Sequence, residues 1–236
     1  MKFTKLSLIA ALAVSSAFAG GDIAPVEPTV TAEAPASESD LAISANLAIT
    51  SNYVWRGMTQ TSNAPAVQGG IDLEYKGFYL GTWGSNVDFN TASDNSLEAD
   101  FYAGYKNEIA GIGFDIGYIL YTYPNSGASI SDNPDELYLG LSKDFGMVGV
   151  NGKYSYALDD FNTDYWEIGG DVELPMELTF AASYGDYKDV GTNYIVSLSK
   201  EIGKFELNVA YTNFDADAAS GFDDEDHVVA TISTSF

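Results

Sequence analysis

"LAISANLAITSNYVWRG", residues 41–57, alternates two kinds of side chain. Leu41, Ile43, Ala45, Leu47, Ile49, Tyr53 and Trp55 share one parity; Ala42, Ser44, Asn46, Thr50, Asn52 and Arg56 share the other. Period two is the signature of a strand with two different faces, and about fifteen residues is far beyond the usual globular strand of five or six. The pattern returns at "AVQGGIDLEYK", "YLGTWGSNVDF", "SLEADFYAGYK", "IGFDIGYILYTY" and "ELYLGLSKDF". Further runs begin near Met147, Asp164, Glu177, Asn193, Lys204 and Glu225. The expected total is about twelve strands.

The connections alternate as well. Short ones fall at 76–77, 107–111, 144–146, 174–176 and 202–203; longer ones at 57–64, 90–96, 124–135, 159–163, 186–192 and 214–224. Gly, Asn, Asp, Ser and Pro fill them, as turn chemistry requires. An up-and-down meander with all its long loops at one end has the asymmetry of transmembrane barrels. The final run, "HVVATISTSF", stops on an aromatic, Phe236. A barrel in lipid must pair its last strand with its first, because an unpaired edge costs several kcal/mol per unsatisfied group. Phe236 is thus expected as an interfacial anchor and as part of the signal read by outer-membrane assembly machinery.

Before residue 41 the character differs. Residues 1–19 combine Lys2 and Lys5, a short apolar run and Ala17-Phe18-Ala19. This is the form of a signal peptide cleaved after Ala19. Residues 20–40 are rich in Pro, Ala, Glu, Thr and Ser and are expected to be a disordered periplasmic tether. Residues 41–236 form the barrel. Without Lys2 and Lys5 the chain keeps 8 basic against 34 acidic side chains (8 less 34, or −26). That excludes nucleic acid as a partner, since phosphate contacts need a basic surface. A hydrophobic content of 46% excludes a disordered chain. Cysteine is absent, so no disulfide supports the exported fold.

Alternation alone leaves open which face meets water. Strand length, tyrosines and tryptophans near strand ends (Tyr53, Trp55, Tyr105, Tyr156, Trp166, Tyr184, Tyr211) and an even strand count favour apolar residues outward. A twelve-strand barrel is roughly 24 Å across, a lumen that water and polar groups fill more readily than apolar side chains do. The setting implied is the outer membrane, among its lipid and lipopolysaccharide.

The blocks "SNYVWRGMTQT", "AVQGGIDLEY", "FYLGTWGSNVDF", "LEADFYAGYK", "YILYTYP" and "ELYLGLS" resemble the TorF-type porin family of proteobacterial outer-membrane proteins. The resemblance spans residues 41–236 and implies a barrel with a channel role, without naming a solute.

On the inward parity, the residues expected to line a pore are Arg56, Asp72, Glu74, Asn86, Asp88, Glu98, Asp100, Lys106, Asp115, Tyr121, Tyr123, Glu136, Lys153, Glu167 and Asp171. Acids outnumber bases, so the lumen should favour cations or zwitterions among small hydrophilic solutes. Residues 86–88 beside Arg56, Tyr121 and Tyr123 are expected to form an external constriction. The alternative is a structural or adhesive barrel whose charges pair across a closed lumen. A lipid-modifying enzyme is the remaining reading. His227 is the one histidine, and Ser233 lies about 20 Å along the same strand, too far to be its nucleophile. Neither a cofactor nor a metal is expected. The acidic stretches 215–226 and 88–98 invite a calcium reading, but the first departs from a calcium loop by having Ser220 where the turn needs Gly, and solvated acidic loops are expected instead. Strand glycines such as Gly81, Gly104 and Gly117 are expected to serve bends and close packing.

Overall fold

A computed structural model describes residues 41–89, 96–124, 133–158 and 163–236. The signal segment, Ala19 and the tether lie outside the described residues, as does most of the 124–135 loop.

The strands are β1 (Leu41–Thr50), β2 (Val54–Trp55), β3 (Met58–Thr59), β4 (Ala66–Tyr75), β5 (Phe78–Asn86), β6 (Leu97–Ile109), β7 (Ile112–Thr122) and β8 (Asp135–Asp144). They continue as β9 (Val148–Ala157), β10 (Tyr165–Leu174), β11 (Leu178–Tyr187), β12 (Gly191–Ile202), β13 (Phe205–Ala216) and β14 (Glu225–Ser235). Twelve of them close an antiparallel barrel in chain order, with β14 returning to β1; β2 and β3 pair only with each other. Closure is complete to the last residue: Phe236 N–H donates to Ala45 O at 2.9 Å and Ala45 N–H to Phe236 O at 3.2 Å. The C-terminus does not fray because its backbone is the seam of the barrel.

The turns at the end holding Leu41 and Phe236 are tight. Lys76-Gly77 and Ala110-Gly111 each place two successive residues at positive φ, 51° and 86°, then 54° and 73°. This is the pattern of the two-residue hairpin turn whose twist matches the flanking strands. The opposite end carries the longer connections, with one departure from strict alternation. β11 and β12 are joined by 188–190 alone, because both strands run on into the residues expected to be loop.

The outward parity is apolar: Ile43 is 67% exposed, Leu80 56% and Val228 72%. A continuous belt of this kind is intolerable in water and is what hydrocarbon requires. Aromatics rim it at both ends. Trp166–Tyr184 and Tyr194–Tyr211 stack at 5.9 Å near the loop end; Phe78, Tyr105 and Phe114 stack at 4.7 and 6.1 Å near the tight turns. Tyr53 and Trp55 are not in the girdle. β1 ends at Thr50, and the chain then folds into the barrel.

Candidate functional site

Residues 51–65 connect β1 to β4 by way of the lumen. Asn52 knots the base of this segment, its Oδ1 accepting the Thr59 and Thr61 hydroxyls at 2.6 and 3.0 Å. From that base the β2–β3 hairpin projects inward, with Val54 opposite Thr59 and Trp55 opposite Met58. Its tip is Arg56-Gly57, with φ of 49° and 82°. A Cβ at residue 57 would collide with Asn213 O, Asn193 Cβ and Phe214 Cβ, so the tip fits against β12 and β13 only as glycine.

The hairpin is held from opposite sides. Arg56 Nη2 donates to both carboxylate oxygens of Glu136 on β8, at 2.8 and 2.9 Å. Thr59 N–H donates to Glu225 Oε2 on β14 at 2.9 Å, and that oxygen also takes His227 Nε2 at 2.6 Å. β8 and β14 lie six strands apart in a ring of twelve, so the hairpin spans the full width. Tyr53 reaches a third wall, donating to Glu98 Oε1 at 2.9 Å and packing edge-on to Trp83 at 5.5 Å. Met58 packs on Val190 and Phe214. Arg56 is 2% exposed, and its Cζ lies 4.2 Å from the ring centroids of Trp55 and Tyr165 and 4.6 Å from that of Tyr187. Burial alone would lower the guanidinium pKa; the Glu136 carboxylate, then the tyrosines, outweigh it and hold it above its ordinary value.

Below the hairpin the inward face changes character. On the β4–β8 wall, Tyr102 donates to Asp72 and Tyr79 to Asp115, both at 2.6 Å, and the Tyr79 and Tyr138 hydroxyls meet. Lys106 pairs with Glu74 at 2.8 Å, and Lys153 lies 5.0 Å from the Tyr138 centroid. These rings lie flat because strand glycines make room. A Cβ at Gly104 would fall on the Tyr79 ring, at Gly81 on Tyr102 and at Gly117 on Tyr138. The expected role of close packing is therefore specific: each glycine seats a tyrosine. The β11–β14 wall presents small groups instead, Ser183, Ser197, Asn208, Thr212 and Ser233.

Of the expected lining residues, Asp72, Glu74, Glu98, Asp100, Lys106, Asp115, Tyr121, Glu136, Lys153, Glu167 and Asp171 lie on the inward face, Tyr123 continues that parity past β7, and Arg56 sits in the hairpin. Asn86 and Asp88 do not line the lumen. Residues facing each other across a ladder share a side of the sheet. Tyr79 pairs with Glu74 and Gly104, whereas Leu80 pairs with Leu73, so the odd residues of β5 point inward. Asn86 is exposed, capping Val67 N–H at 2.8 Å, and Asp88 is exposed at the rim, its N–H bonded to Gln60 O. Only Val87 of the expected 86–88 constriction turns in, against Tyr53. Tyr53, Trp55, Tyr79, Tyr102, Tyr138, Tyr165, Tyr187 and Glu225 were not singled out by sequence for the lumen. Tyr138 gave a signal by sharing parity with Glu136; Tyr79 and Trp83 gave a misleading one by resembling a greasy face. His227 faces the lumen beside Glu225, and among the described residues no serine hydroxyl bonds to its ring. No cluster of three metal-type ligands occurs among the described residues.

A family model described as "Bacterial protein of unknown function (Gcw_chp)" matches residues 33–236. No curated protein sequence matches. Among solved structures, the KdgM porin superposes with a TM-score of 0.57 at 12% identity, covering 82% of this chain and 98% of that one. The NanC porin gives 0.52 at 13%, covering 83% and 99%. Outer membrane phospholipase A from Escherichia coli gives 0.51 at 13%, covering 81% and 95%. At these identities the likeness is one of fold: a closed, porin-like outer-membrane barrel.

Proposed function

The chain belongs to the bacterial family of unknown function Gcw_chp, and we propose that it is an outer-membrane channel for passive diffusion of small hydrophilic solutes. In this proposal it prefers cations or zwitterions, and the 51–65 segment gates its outer end. The carrying observation is the acid-rich inward face of a closed twelve-strand barrel. Asp72, Glu74, Asp115 and Asp171 face Lys106 and Lys153 below the hairpin, and charge of one sign lining a pore sets its selectivity. The resemblance of the blocks quoted above to TorF-type porins supports the same reading. So does the fold shared with KdgM and NanC porins, one of which is described in complex with disordered oligogalacturonate. An anionic sugar chain is a poor match for this lumen, and the proposal does not extend to it. Export by a signal peptide ending at Ala19, assembly through Phe236 and a lipopolysaccharide setting belong to the same proposal, which needs no cofactor.

A specific observation favours a second reading, a closed structural or adhesive barrel: the hairpin fills the outer lumen from β8 to β14. The phospholipase likeness gives catalysis weaker support, because among the described residues the His227 ring meets the Glu225 carboxylate and no serine hydroxyl. The deciding experiment records planar-bilayer currents in a KCl gradient for the full chain and for a variant with residues 53–62 replaced by a Gly-Ser linker. The channel reading expects cation-selective steps from the full chain and at least tenfold larger mean current from the variant. A variant that folds yet carries no current would leave the structural reading standing.

A further inference from the structure

Arg56 is the hairpin's only cation, and the site it occupies is built almost entirely by the wall. Glu136 comes from β8, Tyr165 and Glu167 from β10, and Tyr187 from β11; only Trp55 arrives with the hairpin. Two oxygens of one carboxylate take Nη2, while three rings surround Cζ within 4.6 Å, inside the range where a cation is drawn to an aromatic face. Nη1 is fully buried and has no hydrogen-bond partner among the described residues. The site is thus a better match for a positive, planar or rounded group than for this particular tethered arginine.

The charges around it show what the site requires. Lys153 faces Glu167 across the β9–β10 ladder and offsets it; among the described residues the cation bonded to Glu136 is Arg56. Lifting Arg56 out would leave a carboxylate buried without a counter-charge, which is strongly unfavourable until another cation takes its place. The hairpin itself is a weak device. Its strands are two residues long, too short to persist alone, and its tip holds a non-glycine residue in the left-handed region. Arg56 in its socket, with Thr59 on Glu225, is what keeps the segment inside.

We infer that the Glu136–Tyr165–Tyr187 socket is a binding site for the guanidinium or alkylammonium group of a solute, with Arg56 as its resident competitor, so that an incoming cation displaces the hairpin and opens the outer mouth. This rests on the channel reading for its consequence, but the binding is measurable without it. A competitor tethered by a short loop acts at an effective concentration on the order of millimolar, so the free ligand has to reach that range. Urea, a neutral planar isostere of guanidinium, is the control that separates charge from shape.

The test uses argininamide with the full chain in detergent and in planar bilayers, with heat-modifiable gel migration confirming folding. Arg56→Ala and Arg56→Met empty the socket; Glu136→Gln removes its charge. At about 10 mM argininamide, added on the long-loop side, the wild-type open probability should rise at least tenfold, while urea and potassium at equal ionic strength leave it unchanged. Calorimetry should give at least tenfold tighter argininamide binding to either Arg56 variant than to wild type, and loss of binding with Glu136→Gln. Undetectable binding to a folded Arg56 variant, or an equal response to urea, would overturn the socket even if the linker variant conducts. If instead the Arg56 variants bind argininamide while the linker variant carries no current, the socket stands and the channel reading falls.

Discussion

The outer and periplasmic halves of the lumen are built from the inward residues of the same twelve strands, yet they solve opposite problems. In the outer half, Glu98, Asp100, Glu136 and Glu167 are buried, and a loop from between β1 and β4 supplies partners to two of them, Tyr53 to Glu98 and Arg56 to Glu136. In the periplasmic half, Glu74 and Lys106 remain 41% and 28% exposed in their side chains, and partners come from neighbouring strands. Parity decides only that a residue faces inward. Whether that residue is a lock or a lining depends on whether another piece of chain reaches it.

The largest test of this contrast is Glu136→Gln. Removing one member of a buried ion pair costs about 3–5 kcal/mol because the other charge is left stranded. Here the hairpin can escape that cost by leaving, so the closed state should lose about 3 kcal/mol, a shift of about a hundredfold toward open in single-channel records. The double variant Arg56→Met/Glu136→Leu, which strands no charge, should recover most of the closure. If the single variant stays closed, packing by Tyr53, Trp55 and Met58 is the lock and the ion pair is incidental.

Gly104→Val comes next and probes the tyrosine seats between the two halves. Its Cβ would land on the Tyr79 ring, and overpacking of this kind costs about 2 kcal/mol, read as a lower urea midpoint in detergent. Tyr79→Ser in the same chain should restore only part of it, because the same Cβ also meets Ile116 O at 2.6 Å. Gly140→Ala, whose Cβ would meet Asp115 only at 3.6 Å, should stay within about 0.5 kcal/mol of wild type.

These glycines and the hairpin mark where sequence stops being legible. The twelve spanning strands were readable because a residue between lipid and water must alternate, and Ile43, Leu80 and Val228 obey. The hairpin was not, because Tyr53 and Trp55 continue the parity of Ile49 past the true end of β1. Nothing local shows that their partners are Glu98 and Tyr121, far away in the chain. In β5 the pattern inverted, since Tyr79 and Trp83 are apolar enough to look lipid-facing and polar enough to line a lumen. Most of the inward acids were found from sequence; the lock that Glu98 and Glu136 belong to is a long-range fact.

Tyr53→Phe gives a smaller effect in the outer half. It removes one hydroxyl from the buried Glu98 carboxylate and should weaken closure by about 1.5 kcal/mol, roughly tenfold in open probability. Its ring still packs on Trp83, so folding in detergent should be unchanged.

The smallest expected effect is at Lys106, and it carries the other side of the comparison. Its 2.8 Å pair with Glu74 is half in solvent, where ion pairs contribute about 0–1 kcal/mol and are screened within about 3 Å at 1 M salt. Lys106→Gln should therefore change stability by less than about 1 kcal/mol, with the difference vanishing in 1 M KCl. It should nevertheless move the reversal potential toward stronger cation preference, because one of the few inward bases is lost. The Glu136→Gln effect, being buried, should persist at the same salt. A Lys106→Gln cost as large and as salt-resistant as that of Glu136→Gln would mean the periplasmic half is sealed too, and the division of the lumen into a lock and a lining would fail.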